Sequence, residues 1–273
     1  MNIEKILNEL SVEEKLKLLT GKNVWQTEDL NGKLPSVFMA DGPNGLRKMD
    51  LSDGTTHKNT AYPTLSMLGC SFSEEAAEKE GDAIAEDCIE NDVDILLGPG
   101  VNMKRTPLCG RNFEYVSEDP VLSGNIACAY IEGVQKRGVG TSIKHFAANN
   151  NEDYRFFQNS EMDERTFYEI YAKVFQIALK AKPWTVMCSY NLFNGVFASE
   201  NPVLLNKALR GKLGYNGVIV SDWGACHNRA RALKATLDLE MPDSKNAYST
   251  LEKAYNDGFI TESEINVSVK RLL

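Results

Sequence analysis

The feature that most constrains the fold is a series of short, mostly apolar runs that do not alternate with polar residues. They lie at 36–40 (SVFMA), 94–97 (DILL), 140–144 (GTSIK), 185–189 (TVMCS), 217–221 (GVIVS) and, more weakly, 235–239 (ATLDL). Runs of this length without period-2 alternation predict strands buried on both faces, as in a parallel sheet. Between them, longer amphipathic stretches predict helices over 73–91, 121–136, 163–181, 202–212 and 227–234. Their starts carry physical signals. Ser73 precedes an acidic first turn, and Asp119-Pro120 and Asn201-Pro202 each place a capping side chain before a proline with no N–H to orphan. Ser11-x-x-Glu14 and Thr261-x-x-Glu264 fit capping boxes near the two chain ends.

Strand–helix alternation with short connections predicts right-handed βα units. Six strands suit either an open doubly wound sheet or most of a (β/α)8 barrel, and periodicity does not choose between them. A chain of 273 residues lies within the range of one α/β barrel. With no internal repeat or linker-like tract, a single domain over 1–273 is expected.

Thirty basic residues against thirty-eight acidic give a net charge of −8, the wrong sign for broad contact with nucleic acid or anionic lipid. A neutral small molecule is the better substrate class. The six cysteines contain no Cys-x-x-Cys pair, and the N-terminus lacks the unbroken apolar core of a signal peptide. No apolar run approaches a membrane span of roughly 20 residues. The expectation is a cytoplasmic protein with reduced thiols, no metal and no cofactor.

The polar residues concentrate where the apolar runs end. Asp41-Gly42-Pro43-Asn44-Gly45-Leu46-Arg47 follows the first run, Lys144-His145 ends the third, Tyr190-Asn191 follows the fourth and Asp222-Trp223 the fifth. In parallel sheets that carboxyl edge binds substrates. Each residue alone has an ordinary structural reading. Asp222 can cap the helix near 227, Asp41 can shape a turn, Lys144-His145 can be a solvated strand end, and Trp223 can be packing. Their coincidence on one edge favours a site.

Phosphate-loop, dinucleotide, zinc-protease and nucleophile-elbow motifs are all absent, and the three histidines (57, 145 and 227) have no metal-ligand spacing. Carboxylates, basic donors and aromatics remain, a set suited to a polyhydroxylated ligand and to charge developing at an anomeric carbon.

Six strings then point one way: ADGPNGLR (40–47), KRTPLCGRNFEYVSEDP (104–120), KHFAANN (144–150), SYN (189–191), VSDWGA (220–225) and LDLEMP (237–242). In this order they resemble the N-terminal barrel domain of glycoside hydrolase family 3, in its β-glucosidase-like branch. The resemblance implies a TIM-barrel-like α/β fold, complete or collapsed, and a retaining β-glycosidase acting on terminal β-linked glucose or a similar sugar. It implies Asp222 as nucleophile, forming a covalent glycosyl-enzyme, and Asp41, Arg47, Arg111, Lys144, His145, Arg155, Tyr190 and Trp223 as substrate-binding residues. Arg105 and Glu114 are implied as indirect partners in the ion-pair network. Neighbouring cations are expected to lower the Asp222 pKa and keep it ionised.

One departure from the family pattern affects function. A retaining glycosidase needs a second carboxylic acid about 5–5.5 Å from the nucleophile. In the β-glucosidase-like branch that Glu lies in a following α/β sandwich domain, for which these residues offer no counterpart. The acid/base is therefore expected from a missing domain or a second chain, with a catalytically idle sugar-binding remnant as the alternative. A single-domain branch carries its acid/base His in a KHFPGHG-like segment. Here the text is KHFAANNNEDYR, and Glu152 and Asp153 sit beside Arg155, which favours their ionised forms. A barrel aldolase using Lys144 as a Schiff base is the remaining alternative.

Overall fold

The computed structural model describes residues 2–273. Eight strands occur in chain order: β1 (Met39–Ala40), β2 (Ile95–Leu96), β3 (Gly140–Phe146), β4 (Asn159–Ser160), β5 (Thr185–Cys188), β6 (Leu192–Phe193), β7 (Val196–Phe197) and β8 (Val218–Val220). Five form one parallel sheet in the order β1-β2-β3-β5-β8. Every residue of β3 and β5 is buried, as runs without alternation require. The other three strands form a small sheet beyond the ends of β3 and β5.

The sheet is curled into a collapsed barrel. Single bridges carry the ring onward from β8: Val220 with Leu239, Glu240 with Thr20, Gly21 with Thr27, and Gln26 with Phe38 just before β1. Met39, Ile95, Leu97, Met187, Val220, Leu239 and Met241 fill the interior. The predicted strand at 235–239 is corrected to the single bridge at Leu239. Thr236 takes a positive φ of 78° and the Leu237 N–H still bonds back to the Ala232 carbonyl, so the chain becomes extended only at its last residues.

The predicted helices appear as Glu74–Glu90, Pro120–Gln135, a composite helical run over 164–181, Val203–Lys212 and Arg229–Lys234. Both capping boxes form and start the helices Val12–Leu18 and Glu262–Leu272. Three further helices, Ile3–Glu9, Leu65–Ser71 and Ala247–Asn256, carry none of those signals. Helices Glu74–Glu90 and Pro120–Gln135 pack backbone to backbone, because Gly81 and Gly133 leave no side chain between them. A Cβ on Gly81 would lie 2.3 Å from the Tyr130 carbonyl oxygen.

The last helix is fastened to the sheet through buried Asp238. Its carboxylate accepts from the Ile219 N–H (2.8 Å), Ser268 Oγ (2.9 Å), Arg271 (2.9 Å) and Arg210 (2.5 Å). Four donors offset the cost of burying that charge. With the barrel closed in this way, the carboxyl ends of β1, β3, β5 and β8 converge.

Candidate active site

A cleft of about 380 Å³ opens at that convergence. It is lined by Asp41, Arg47, Arg111, Glu114, Lys144, Arg155, Tyr190, Asp222 and Trp223, with Trp25, Leu97, Phe113 and Met187. Four cations thus face three carboxylates.

Local chain geometry explains how these groups meet. Beyond β1, the Arg47 N–H bonds the Asp41 carbonyl at 2.8 Å, closing a tight hairpin. Gly42 (φ 110°) and Gly45 (φ 138°) make the turn, and a Cβ on Gly42 would sit 2.0 Å from the Gly45 carbonyl oxygen. The hairpin brings the Arg47 guanidinium back to 4.0 Å from Asp41 Oδ2. At the end of β3, the pairing with β5 slips between Lys144 and Phe146. Regular alternation sends consecutive side chains to opposite faces, but this bulge lets Lys144 and His145 reach one cluster.

Lys144 Nζ lies 3.0 Å from Asp41 Oδ1 and 3.3 Å from Glu114 Oε2, and Glu114 also bonds the Arg111 guanidinium. Burial raises the carboxyls of Asp41 and Glu114, but Lys144 and Arg111 outweigh it and hold both below the ordinary carboxylate range. Burial likewise pulls Lys144 down, and the two carboxylates more than reverse it. A lysine kept charged in this way is not the free amine of a Schiff-base enzyme.

Asp222 is buried just past β8. Its Oδ1 accepts the Trp223 N–H at 2.8 Å, while Oδ2 has no hydrogen-bond partner. His145 Nε2 is 3.4 Å from that oxygen, but the contact is not an ion pair. Burial, with Arg111, Lys144 and Arg155 nearby, pushes the imidazole far below its usual pKa and leaves it neutral. The expected depression of Asp222 is corrected: burial is the largest influence and raises its carboxyl, while Arg111, Lys144, Tyr190 and the Trp223 N–H oppose it without cancelling it.

The remaining residues form the walls. The Arg155 guanidinium bonds Glu152 at 2.9 Å and lies 4.6 Å from the centroid of the Tyr190 ring. The Tyr190 hydroxyl donates to the Trp223 carbonyl at 3.1 Å. Trp223 donates through Nε1 to the Val24 carbonyl and packs against Trp25 at 5.6 Å between ring centroids.

The cleft thus gathers Asp222, Asp41, Arg47, Arg111, Lys144, Arg155, Tyr190 and Trp223 on its surface, with fully buried His145 beneath Arg111 and Asp222. Glu114 lies in the ion-pair network and also on the cleft wall. Arg105 is exposed and makes no ion pair among the described residues, so the indirect role expected for it is corrected. Trp25 and Asn102 escaped the sequence reading. Trp25 precedes β1 on a loop, and Asn102 acts only through His145, so neither sits at a strand end.

Fixed cations, carboxylates and indole walls at the carboxyl end of a collapsed barrel define a site of the glycoside hydrolase class. The chain belongs to glycosyl hydrolase family 3, whose N-terminal domain profile matches residues 2–273. It is 44% identical over 281 residues to the thermostable beta-glucosidase B of Acetivibrio thermocellus, covering 100% of this chain and 37% of that protein. It is also 44% identical over 270 residues to an exo-alpha-(1->6)-L-arabinopyranosidase of Bifidobacterium longum, covering 95% and 35%. Beta-glucosidase 3B from Thermotoga neapolitana, solved in complex with glucose, superposes with a TM-score of 0.94 at 38% identity, covering 99% of this chain and 42% of that one. The chain therefore spans well under half the length of these relatives. Among the described residues no helix is long and apolar enough to cross a membrane, and all six cysteines are unpaired.

Proposed function

We propose that this chain is the nucleophile-bearing barrel of a retaining glycosidase that removes terminal β-linked glucose or a similar pyranose. The observation that carries the reading is Asp222 Oδ2, a buried carboxylate oxygen without a donor, set among cations at a sugar-sized cleft. Such an oxygen is free to bond the anomeric carbon as the glycosidic bond breaks, giving a glycosyl ester and an overall retained configuration after hydrolysis. Asp41, Arg47, Lys144 and Arg155 supply hydrogen bonds for sugar hydroxyls, and Trp223 with Trp25 supplies an apolar wall. Glucose is favoured by relatives named beta-glucosidases. The arabinopyranosidase at equal identity keeps the choice of pyranose open to the pocket's finer shape.

The proton for the leaving oxygen comes from outside this cleft. Asp41 and Glu114 are held in their charged forms and Glu152 is paired with Arg155. A carboxylic acid from a further domain or second chain fits that need, and relatives more than twice this length have residues to provide one.

The test is trapping with a 2-deoxy-2-fluoro glucoside bearing a dinitrophenyl leaving group, followed by peptide mapping. The adduct is expected on Asp222, and an adduct on another residue would overturn the assignment.

A further inference from the structure

The main chain around His145 fixes the protonation pattern of the ring, and one amide does the fixing. Asn102 is buried and pairs with both backbone groups of His145: its Nδ2 donates to the His145 carbonyl at 2.9 Å and its Oδ1 accepts the His145 N–H at 3.1 Å. These two bonds leave the amide only one orientation. A backbone N–H cannot face Nδ2, and a carbonyl cannot face Oδ1. The same Oδ1 also lies 3.0 Å from His145 Nδ1. An amide oxygen only accepts, so Nδ1 carries the proton. The Tyr115 hydroxyl, 3.3 Å from Nδ1, donates its own proton to the Asn149 carbonyl, so toward the ring its oxygen only accepts, which again requires a proton on Nδ1.

In a neutral imidazole, Nε2 is then an acceptor. It takes a hydrogen bond from Arg111 Nη2 at 2.8 Å and offers no proton to Asp222 Oδ2 beside it. With the opposite tautomer, an Nε2–H would repel the guanidinium and donate to that oxygen.

We propose that Asn102 is a positioning residue for the nucleophile: it holds His145 as the Nδ1–H tautomer, so that Arg111 is anchored on Nε2 and Asp222 Oδ2 is left unbonded. The role rests on the reading of Asp222 as nucleophile, but the tautomer and its consequence for Asp222 do not. The charged and titratable groups around the ring all agree with it. Arg111, Lys144 and Arg155 oppose imidazolium formation, Tyr115 is too buried to ionise, and Asp222 is the single carboxylate in contact. A free carboxylate oxygen is a stronger nucleophile than one that must first break a hydrogen bond, and an anchored guanidinium keeps its charge where the ester forms.

The experiment is ¹⁵N long-range correlation spectroscopy of the imidazoles in the whole chain. With three histidines, the His57→Gln and His227→Gln variants assign His145 by elimination. Nδ1 is expected at a protonated shift and Nε2 at an unprotonated one, constant from pH 5 to pH 8. An Nε2–H tautomer, or a ring that titrates in that window, overturns the proposal.

Asn102→Asp keeps an acceptor for the His145 N–H and for Nδ1, gives up the bond to the His145 carbonyl and sets a negative charge beside Nδ1. His145 is then expected to take up a proton as pH falls from 8 to 5, and ¹³C titration of the Asp222 carboxyl is expected to move down as it gains an N–H donor. Trapping by the fluoroglucoside should slow by about tenfold to hundredfold at the acid end, the rate equivalent of one charged hydrogen bond, with little change at pH 8. A variant whose Asp222 titration and trapping profile match the wild type overturns the positioning role. Absence of trapping in the wild type would count against the glycosidase reading alone, since both spectroscopic readouts remain decisive.

Discussion

Lys144 holds Asp41 at 3.0 Å across the mouth of the barrel, joining the end of β3 to the end of β1. The same ammonium reaches Glu114, whose side chain is almost wholly buried, so one cation neutralises two carboxylates from separate loops. Lys144→Met leaves Glu114 with Arg111 alone and Asp41 with a distant, exposed Arg47. Breaking a buried pair costs about 3–5 kcal/mol. A loss near the lower figure is expected at pH 7, because Asp41 is partly open to solvent. Both carboxyls are depressed in the wild type, so the stability they contribute is present above their ordinary pKa and lost as pH falls through the lowered values. The gap between variant and wild type should therefore narrow at pH 3. Urea unfolding at the two pH values measures it.

Asp222 presents the opposite sign. Its carboxyl is raised by burial, so the protonated form suits the fold and the charged form strains it. The stability associated with the neutral form is present below the ordinary aspartate pKa and lost as pH rises through the raised one. Asp222→Asn should therefore melt above the wild type at pH 7 and together with it at pH 3, while glycosyl-ester formation falls by about 10⁴-fold or more, as when a nucleophile is removed. Calorimetry paired with a trapping assay tests both halves. A variant less stable at pH 7 would mean that Arg111 and Lys144 outweigh burial.

Much of this site was legible because strand ends in a parallel sheet deliver side chains to one edge. Asp41, Lys144, Tyr190 and Asp222 each follow an apolar run, and the structure brings them to one cleft. The same logic fails where register departs from regularity. Alternation alone would separate Lys144 from His145, whereas the register of β3 slips at this point and both side chains reach one cluster. Closure of the barrel was illegible for a related reason. Thr20, Gly21, Gln26, Thr27 and Glu240 each contribute single bridges, too short to leave an apolar period in the sequence. Asn102 was invisible because its effect passes through backbone hydrogen bonds and then through a histidine ring.

Glu80 offers a test of burial without function. It lies in helix Glu74–Glu90, is almost wholly buried, and its Oε1 has no partner. Burial alone pushes its carboxyl up to about 8. A raised carboxyl favours the fold fully below its ordinary pKa of about 4.3, and that contribution drains away as pH rises to the folded value. Glu80→Gln is expected to match the wild type near pH 4, to gain on it through pH 5–8, and to hold a constant advantage above pH 9. Each pKa unit corresponds to about 1.4 kcal/mol before relaxation or entering water reduces it. Thermal melts across that range give the curve, and a flat difference would show that Glu80 finds a partner in solution.

The cleft's charge pattern also fixes how rates should depend on the leaving group. Lys144 and Arg111 keep Asp41 and Glu114 ionised, so neither carboxyl facing Asp222 can protonate a departing oxygen. A general acid is worth about 10²–10⁴-fold, and a leaving group that departs as a stable anion does not need one. For this chain on its own, a dinitrophenyl glucoside should form the glycosyl ester faster than cellobiose by a factor of that order. Across a series of aryl glucosides the logarithm of the rate should fall steeply as the phenol becomes less acidic. A nearly flat series would place a proton donor within the cleft, with Glu152 the first to examine because it is paired with the partly exposed Arg155 and not with Lys144 or Arg111.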